Sequence, residues 1–441
     1  MTLSSRTKGS IGSDATLLYL VGATLPFPLI GVPLNELFVM SLTPVLGLVF
    51  GARRWMRHGW KPLHKTAAVM LLVFTASSAL RHPVTSYVLS VGALALALIP
   101  LTTPELGGLG TRALLKGLML GLWATLALTL ATILLQISGL QGLLGPFAPL
   151  LVGTEQTGMF LGYVRPFAGF SEPSHLAIYF ATMYVALDLL ARAGTPSGLT
   201  RPCLAVAIVF TGSVSGLVLF VTYLVADGLI RLRRLLRKSL AAATMLRTLV
   251  AVLALLVVVS LVGPNSAELV DEYAVRVVQT LDDIETGNLV GSEGSRINAV
   301  LALPDYWESA GLSGFLMGTG YANYQSWLID NYGHLDESAT FSRGGIDNIL
   351  IAVFLSTGVL GFIAYLAFLY QAFGPRAVAA NPSLVVFVLA LNFSYGYLIS
   401  GLYWDLLFVL AAMARLNSST PVRDPGRMPS VRRQSQTAAS A

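Results

Sequence analysis

The chain has 441 residues, of which 55% are hydrophobic and only 11% charged, with a formal net charge of +6 and a mean hydropathy of +0.71. Soluble domains carry about 25% charged residues, so this composition excludes an ordinary soluble globule. In hydrocarbon every backbone polar group needs an internal partner, which leaves helices or a closed barrel. The non-alternating run AVLALLVVVSLV at 251–262 excludes the barrel, whose strands alternate.

Apolar runs of about the length a span requires predict helices at 16–32, 34–51, 66–80, 84–101, 113–138, 174–191, 201–212, 214–230, 247–263, 346–371, 383–398 and 401–415. The fold class is therefore all-α, a polytopic integral membrane protein with about 12 transmembrane helices and a large external loop. The first run reads as a span and not as a signal peptide, because no small-residue cleavage site follows it. The single cysteine, Cys203, excludes an intrachain disulfide and reads as a small packing residue.

Lys and Arg orient the spans, because they collect on the cytoplasmic side. The basic segments are 51–65, 231–238 and the tail beyond 415. Placing all three inside splits 201–230 into two short helices that turn near Gly212 and Ser213. With both termini inside, 23 of the 28 basic residues are internal, and Arg81, Arg165, Arg276, Arg296 and Arg343 are external. The positive net charge then reflects insertion and contact with anionic lipid, not nucleic-acid binding.

The predicted organisation is an N-terminal transmembrane bundle over 1–263 with an external loop at 139–173. A large, partly helical external loop follows over 264–345, then C-terminal transmembrane helices over 346–415 and a basic, unstructured tail over 416–441. The 264–345 segment holds 12 of the 22 acidic residues. Within it, 267–289 has apolar residues at helical spacing between acidic ones, as in a helix lying on the membrane face.

External arginines run against the insertion bias and are candidate anion ligands, since Arg grips phosphate or carboxylate with two donors. For Arg276, beside Asp271 and Glu272, local salt bridging is the plainer reading. Arg165, Arg296 and Arg343 remain candidates for a substrate anion. Arg296 follows a Gly-rich turn, and a helix over 296–303 would add its N-terminal amides as a second anion site.

Three patches together resemble the Wzy-type polysaccharide polymerases and the related O-antigen ligases. They are VRPFAGFSEPSHLA (164–177), GSRINAVLALPDYW with GFLMGTGYANY (294–307 and 314–324), and SRGGIDNILIAVFLSTGVLGFIAYL (342–366). The short helix pair around TGSVSG (211–216) and the late external loop agree with that family. The resemblance implies a glycosyltransferase-C-like membrane fold in a bacterial inner membrane. It further implies an inverting, metal-independent transfer from an undecaprenyl-diphosphate-linked glycan, with no cofactor and with a polysaccharide chain-length regulator as a further partner.

That reaction needs positive charge on the departing diphosphate, supplied by Arg165, Arg296 and Arg343. It also needs a base for the acceptor hydroxyl, for which Asp347 and Glu172 are candidates at a boundary where partial burial would tune them. Asp347 stands where ligases carry His, which favours a polymerase. Glu172, in Glu-Pro-Ser at a helix start, is equally a structural N-cap. Trp307, Tyr321, Tyr324 and His175 are candidate sugar contacts. The aromatics serve equally as interfacial anchors, and His175 as a satisfied helix-end residue. His334 has acidic neighbours but no spaced partner for a metal. Asp188 and Asp227 lie one turn from Arg192 and Arg231 and are expected to pair with them.

No Walker loop, dinucleotide fingerprint or HExxH motif is present. The rival of another class is a lipid-linked sugar transporter. It would show an internal repeat and mid-membrane ionisable residues, whereas no clear repeat is visible and the polar constellation lies at one face.

Overall fold

The computed structural model describes residues 4–27, 31–33, 39–79, 94–95, 98–102, 106, 108–147, 159–160, 163–170, 172–195, 198–236, 291–320, 348–394 and 401–419. In chain order the elements are α1 (Ser4–Thr24), β1 (Gly31–Pro33), β2 (Val39–Ser41), α2 (Leu42–His58), α3 (Pro62–Ala79), α4 (Gly108–Ile137), β3 (Met159–Phe160) and β4 (Tyr163–Val164). They continue with α5 (Pro173–Arg192), α6 (Thr200–Phe210), α7 (Val214–Leu236), α8 (Gly291–Met317), α9 (Ile349–Phe373), α10 (Pro375–Ala380), α11 (Pro382–Ser394) and α12 (Gly401–Ser419). The described chain is thus mostly helical, and four of its helical stretches are long and apolar enough to cross a membrane: Gly108–Ile137, Pro173–Arg192, Val214–Arg233 and Ile349–Phe373.

The N-terminal expectation needs correction. Helices were predicted at 16–32 and 34–51, but α1 ends at Thr24, and β1 and β2 form an antiparallel pair with Gly31 opposite Ser41. Pro26 and Pro28 explain the stop, since proline removes a helix donor and pushes the preceding residue out of the α region. The segment 51–65, read as a loop, is helical through His58. α7 continues past the predicted end at 230 to Leu236. The runs at 84–101 and 247–263 lie mostly or wholly outside the described residues, as do most of the 264–345 loop, including its 267–289 helix, and the tail beyond 419.

Two helices form the centre. Every residue of α12 from Leu402 to Ala414 is buried, and α5 buries most of its length. Helices apolar on all sides belong in the interior. α12 packs on α5, α2 and α9, while α3 packs on α9 and α11 on α7. One apolar core therefore runs from Leu18 to Ala414, joining early and late helices. α1 and α4 approach closely because Gly117 lies under Tyr19, where a Cβ would come 2.0 Å from the Tyr19 carbonyl oxygen. Small residues permit such contacts between membrane helices.

Buried polar groups are knitted across helices. The hydroxyls of Tyr365 (α9) and Tyr403 (α12) converge on Asn392 Oδ1 (α11), and Asn392 Nδ2 donates to the Val388 carbonyl at 2.7 Å. Arg192 on α5 bridges Asp188 of its own helix and Asp227 of α7, the latter at 2.6 Å. Arg201 of α6 reaches Asp188 at 2.6 Å, and Arg231 reaches Asp227 at 2.6 Å. The two i,i+4 pairs expected from the sequence are both formed. Cys203, expected as a packing residue, is exposed on α6.

Candidate functional site

The entry to α5 is built from the end of α4, the β3–β4 hairpin and the α6–α7 turn. Val164 donates its N–H to Gln136 Oε1 at 2.8 Å and accepts from Gln136 Nε2 at 3.0 Å, so one amide replaces a missing strand partner. Tyr163 donates its hydroxyl to the Phe210 carbonyl at 2.5 Å, at the last turn of α6. Arg165, half-buried, then reaches the Gly212 carbonyl at 3.5 Å. Gly212 has φ +64°, and a Cβ there would lie 2.7 Å from the Phe160 ring and 3.0 Å from Arg165 Cδ. Only glycine lets the arginine lie across this turn.

The backbone between Arg165 and α5 is strained. Ala168 has φ +48°, the one positive-φ residue other than glycine among the described residues, and it is fully buried. Such conformations persist where surroundings over-determine them and gather at functional sites. Pro173 opens α5 as expected. Glu172 occupies the N-cap position, but its carboxylate makes no capping bond and accepts instead from Ser174 Oγ at 2.9 Å. The capping reading of this side chain is therefore not met. The expected partial burial is not met either, because Glu172 is exposed. His175 is half-buried on the first turn of α5.

A second pair of patches meets at the α8–α9 contact. Thr319 and Gly320 donate their N–H groups to the carbonyls of Leu355 and Ser356 at 2.8 and 2.9 Å. Those carbonyls are released by a break in α9 at Gly358, whose φ is +63°. Trp307, half-exposed on α8, packs edge-on against Phe315 and Phe354 with centroids 6.2 and 6.1 Å away. Tyr306 beside it is fully buried, its hydroxyl donating to the Gly314 carbonyl at 3.0 Å.

α8 already begins at Gly291, which corrects the expected helix start at Arg296. The Arg296 amide lies beyond the first turn and is not one of the free N-terminal donors. Its side chain lies outside what is described, as do Arg343, Asp347, Tyr321, Tyr324 and His334. Next to Asp347, Asn348 caps α9 by accepting from the Ile351 N–H at 3.2 Å, while its buried Nδ2 has no hydrogen-bond partner among the described residues. Among the described residues no group of three His, Cys, Asp or Glu is placed to hold a metal ion.

The two ends of the bundle differ. Arg165 and Glu172 lie at the start of α5, and Arg192 lies at its end. The 20 residues of that helix separate them by about 30 Å. Ser383 bonds Asp227 at 3.2 Å and Asn381 bonds Asn417 at 3.1 Å, which brings Arg415 to the Arg192 end. Residues assigned to opposite sides by charge counting thus sit at opposite ends. Sequence reasoning missed Gln136, Tyr163 and the buried Tyr306. Gln136 and Tyr163 belong to no motif, Tyr306 lies in the 294–307 patch without having been singled out, and their hydrogen bonds reveal all three.

No protein-family model matches this chain, and a search of the curated proteins finds no match.

Proposed function

We propose that this chain is a polysaccharide polymerase of a bacterial inner membrane, crossing it about twelve times with both termini in the cytoplasm. It joins undecaprenyl-diphosphate-linked oligosaccharide repeats at the periplasmic face. The acceptor hydroxyl oxygen attacks the anomeric carbon of the donor glycan from the side opposite the diphosphate. The bond to the diphosphate breaks, and that group leaves with the electron pair. Asp347 or Glu172 takes the acceptor proton, and Arg165, with Arg296 and Arg343, meets the charge that develops on the leaving group.

The observation that carries this reading is the anchoring of Arg165. The patch at 164–177 is one of the three that resemble the polymerases, and the short helix pair around 211–216 agrees with that family's topology. Arg165 ties the two together across Gly212, where a Cβ would crowd the Phe160 ring and Arg165 itself. A preorganised cation at one end of the bundle suits chemistry on an anionic lipid better than alternating access. The buried Asn348 amide beside Asp347, whose Nδ2 has no partner among the described residues, adds a donor at the start of α9.

The test is genetic. The gene is deleted and restored as wild type, Arg165→Ala or Asp347→Asn, and extracted glycans are resolved on a gel. Wild type restores long polymer, and each variant leaves single repeats. Polymer that accumulates on carrier lipid without reaching the lipid A core would make the chain a ligase. Normal polymer from every variant, at unchanged membrane levels, would overturn the reading.

A further inference from the structure

Where the α2–α3 turn meets the C-terminal ends of α9 and α12, the fold forms a half-open cavity of about 450 Å³. Its charged lining has one sign. Arg54, His58, Lys61, His64 and Arg415 face it, with no Asp or Glu among the described lining residues. Leu63, Ala367 and Tyr370 provide apolar wall. Arg415 is held there by α9, donating Nε to the Ala372 carbonyl at 2.8 Å and Nη2 to the Gln371 carbonyl at 2.5 Å. These bonds satisfy carbonyls at the end of the helix and fix the guanidinium at the cavity wall.

His64 defines the ligand chemistry. The Lys61 N–H donates to His64 Nδ1 at 3.0 Å, so Nδ1 carries no proton and the neutral ring carries it on Nε2. His64 is 9% exposed, and its buried Nε2 has no hydrogen-bond partner among the described residues. A buried donor without an acceptor is rare and unfavourable. The acceptor that suits it, amid three arginine and lysine side chains, is an oxyanion.

The surroundings point to a lipid as its source. Tyr370 is 51% exposed on the flank of α9 that also exposes Leu360 and Ile363, an apolar face of the kind that meets lipid. Trp55 and Trp60 are exposed at the same turn, and tryptophan collects at the membrane interface. We propose that this cavity binds the phosphate of an anionic phospholipid headgroup on Arg54, Lys61 and His64, with the first acyl carbons along Leu63, Ala367 and Tyr370. The site lies at the opposite end of the bundle from Arg165 and is independent of the polymerase reading.

Purified protein in nonionic detergent is titrated with phosphatidylglycerol, phosphatidylcholine or inorganic phosphate, read by native mass spectrometry and tryptophan emission. Trp60 packs on the His64 ring at 6.3 Å and serves as the reporter, with Trp60→Phe as the control. Phosphatidylglycerol binds at least tenfold tighter than phosphatidylcholine and shifts the emission. Each lost charge weakens binding about fivefold, so Arg54→Gln with Lys61→Gln lowers affinity about 25-fold. His64→Phe keeps the ring contact, removes the donor and weakens binding on its own. Inorganic phosphate that reproduces the shift and displaces the lipid would keep the oxyanion site and assign it a soluble source. Equal binding of the two lipids, or wild-type affinity in both monodisperse variants, would overturn the proposal.

Discussion

Gly318 and Gly358 bring α8 and α9 into backbone contact. A Cβ on Gly318 would lie 2.3 Å from the Ser356 carbonyl carbon, and one on Gly358 2.4 Å from that of Leu316. Both glycines have positive φ. The break at Gly358 releases two carbonyls of α9, and the turn after Gly318 supplies two N–H groups to them. Inside a membrane a broken helix must recover its bonds from a neighbour in this way.

Alanine at either position should therefore destabilise sharply. Backbone strain alone costs about 1–3 kcal/mol, and the collision with main-chain atoms adds to it. Gly311 also has positive φ, but a Cβ there meets nothing within 4 Å. Gly311→Ala should cost only the strain. Thermal unfolding in detergent should rank Gly318→Ala and Gly358→Ala well below Gly311→Ala, and equal midpoints would contradict the contact.

The arginine cluster separates a buried pair from an exposed one. Arg192 side-chain exposure is 22%, against 7% for Asp188 and 10% for Asp227, so Arg192→Ala removes the cation that bridges both carboxylates and leaves them to the more exposed Arg201 and Arg231. A buried pair broken outright costs about 3–5 kcal/mol, and with Arg201 and Arg231 still in place Arg192→Ala should cost less than that but more than about 1 kcal/mol. Arg231 is 53% exposed, and Arg231→Ala should cost less than about 1 kcal/mol. The difference is read as the separation of their unfolding midpoints.

The Tyr365–Asn392–Tyr403 cluster joins three helices. Hydrogen bonds between membrane helices average about 0.6 kcal/mol, up to about 1.7. Tyr403→Phe should lose an amount in that range. Asn392→Leu removes the acceptor shared by both hydroxyls and should cost more. A double-mutant cycle checks the coupling, and strictly additive losses would deny the cluster.

At the site itself, Arg165→Ala should lower polymer formation by about 10²–10³-fold, the size of effect seen when one donor to a developing negative charge is lost. Gly212→Ala crowds Arg165 Cδ and the Phe160 ring and should lower it as well, with Arg165 still present. Turnover of a lipid-linked repeat by purified protein, at matched amounts of folded enzyme, measures both. Activity in Gly212→Ala equal to wild type would show that the arginine needs no such placement.

Much of the helical framework was legible because its period and length are local properties. The runs at 113–138, 174–191, 346–371 and 383–398 fall on α4, α5, α9 and α11 within a few residues. The turn at Gly212 was legible from the charge count alone. The first two helices were misplaced because Pro26 and Pro28 override an apolar run. At the site, Arg165 was visible as a basic residue out of place, whereas Gln136, which holds Val164, was an unremarkable polar residue at a helix end. Glu172 read as a cap from its neighbours, yet its carboxylate turned to Ser174.

The sequence by itself determined that this chain is helical and apolar enough for a membrane, and which residues carry its positive charge. Hydrocarbon permits few backbone solutions, and composition selects among them. Only the tertiary structure decided which helices are central, which glycines touch, and that Arg54, Lys61, His64 and Arg415 share one cavity. Those relations join residues up to hundreds of positions apart, and they rest on side-chain contacts that no local period encodes.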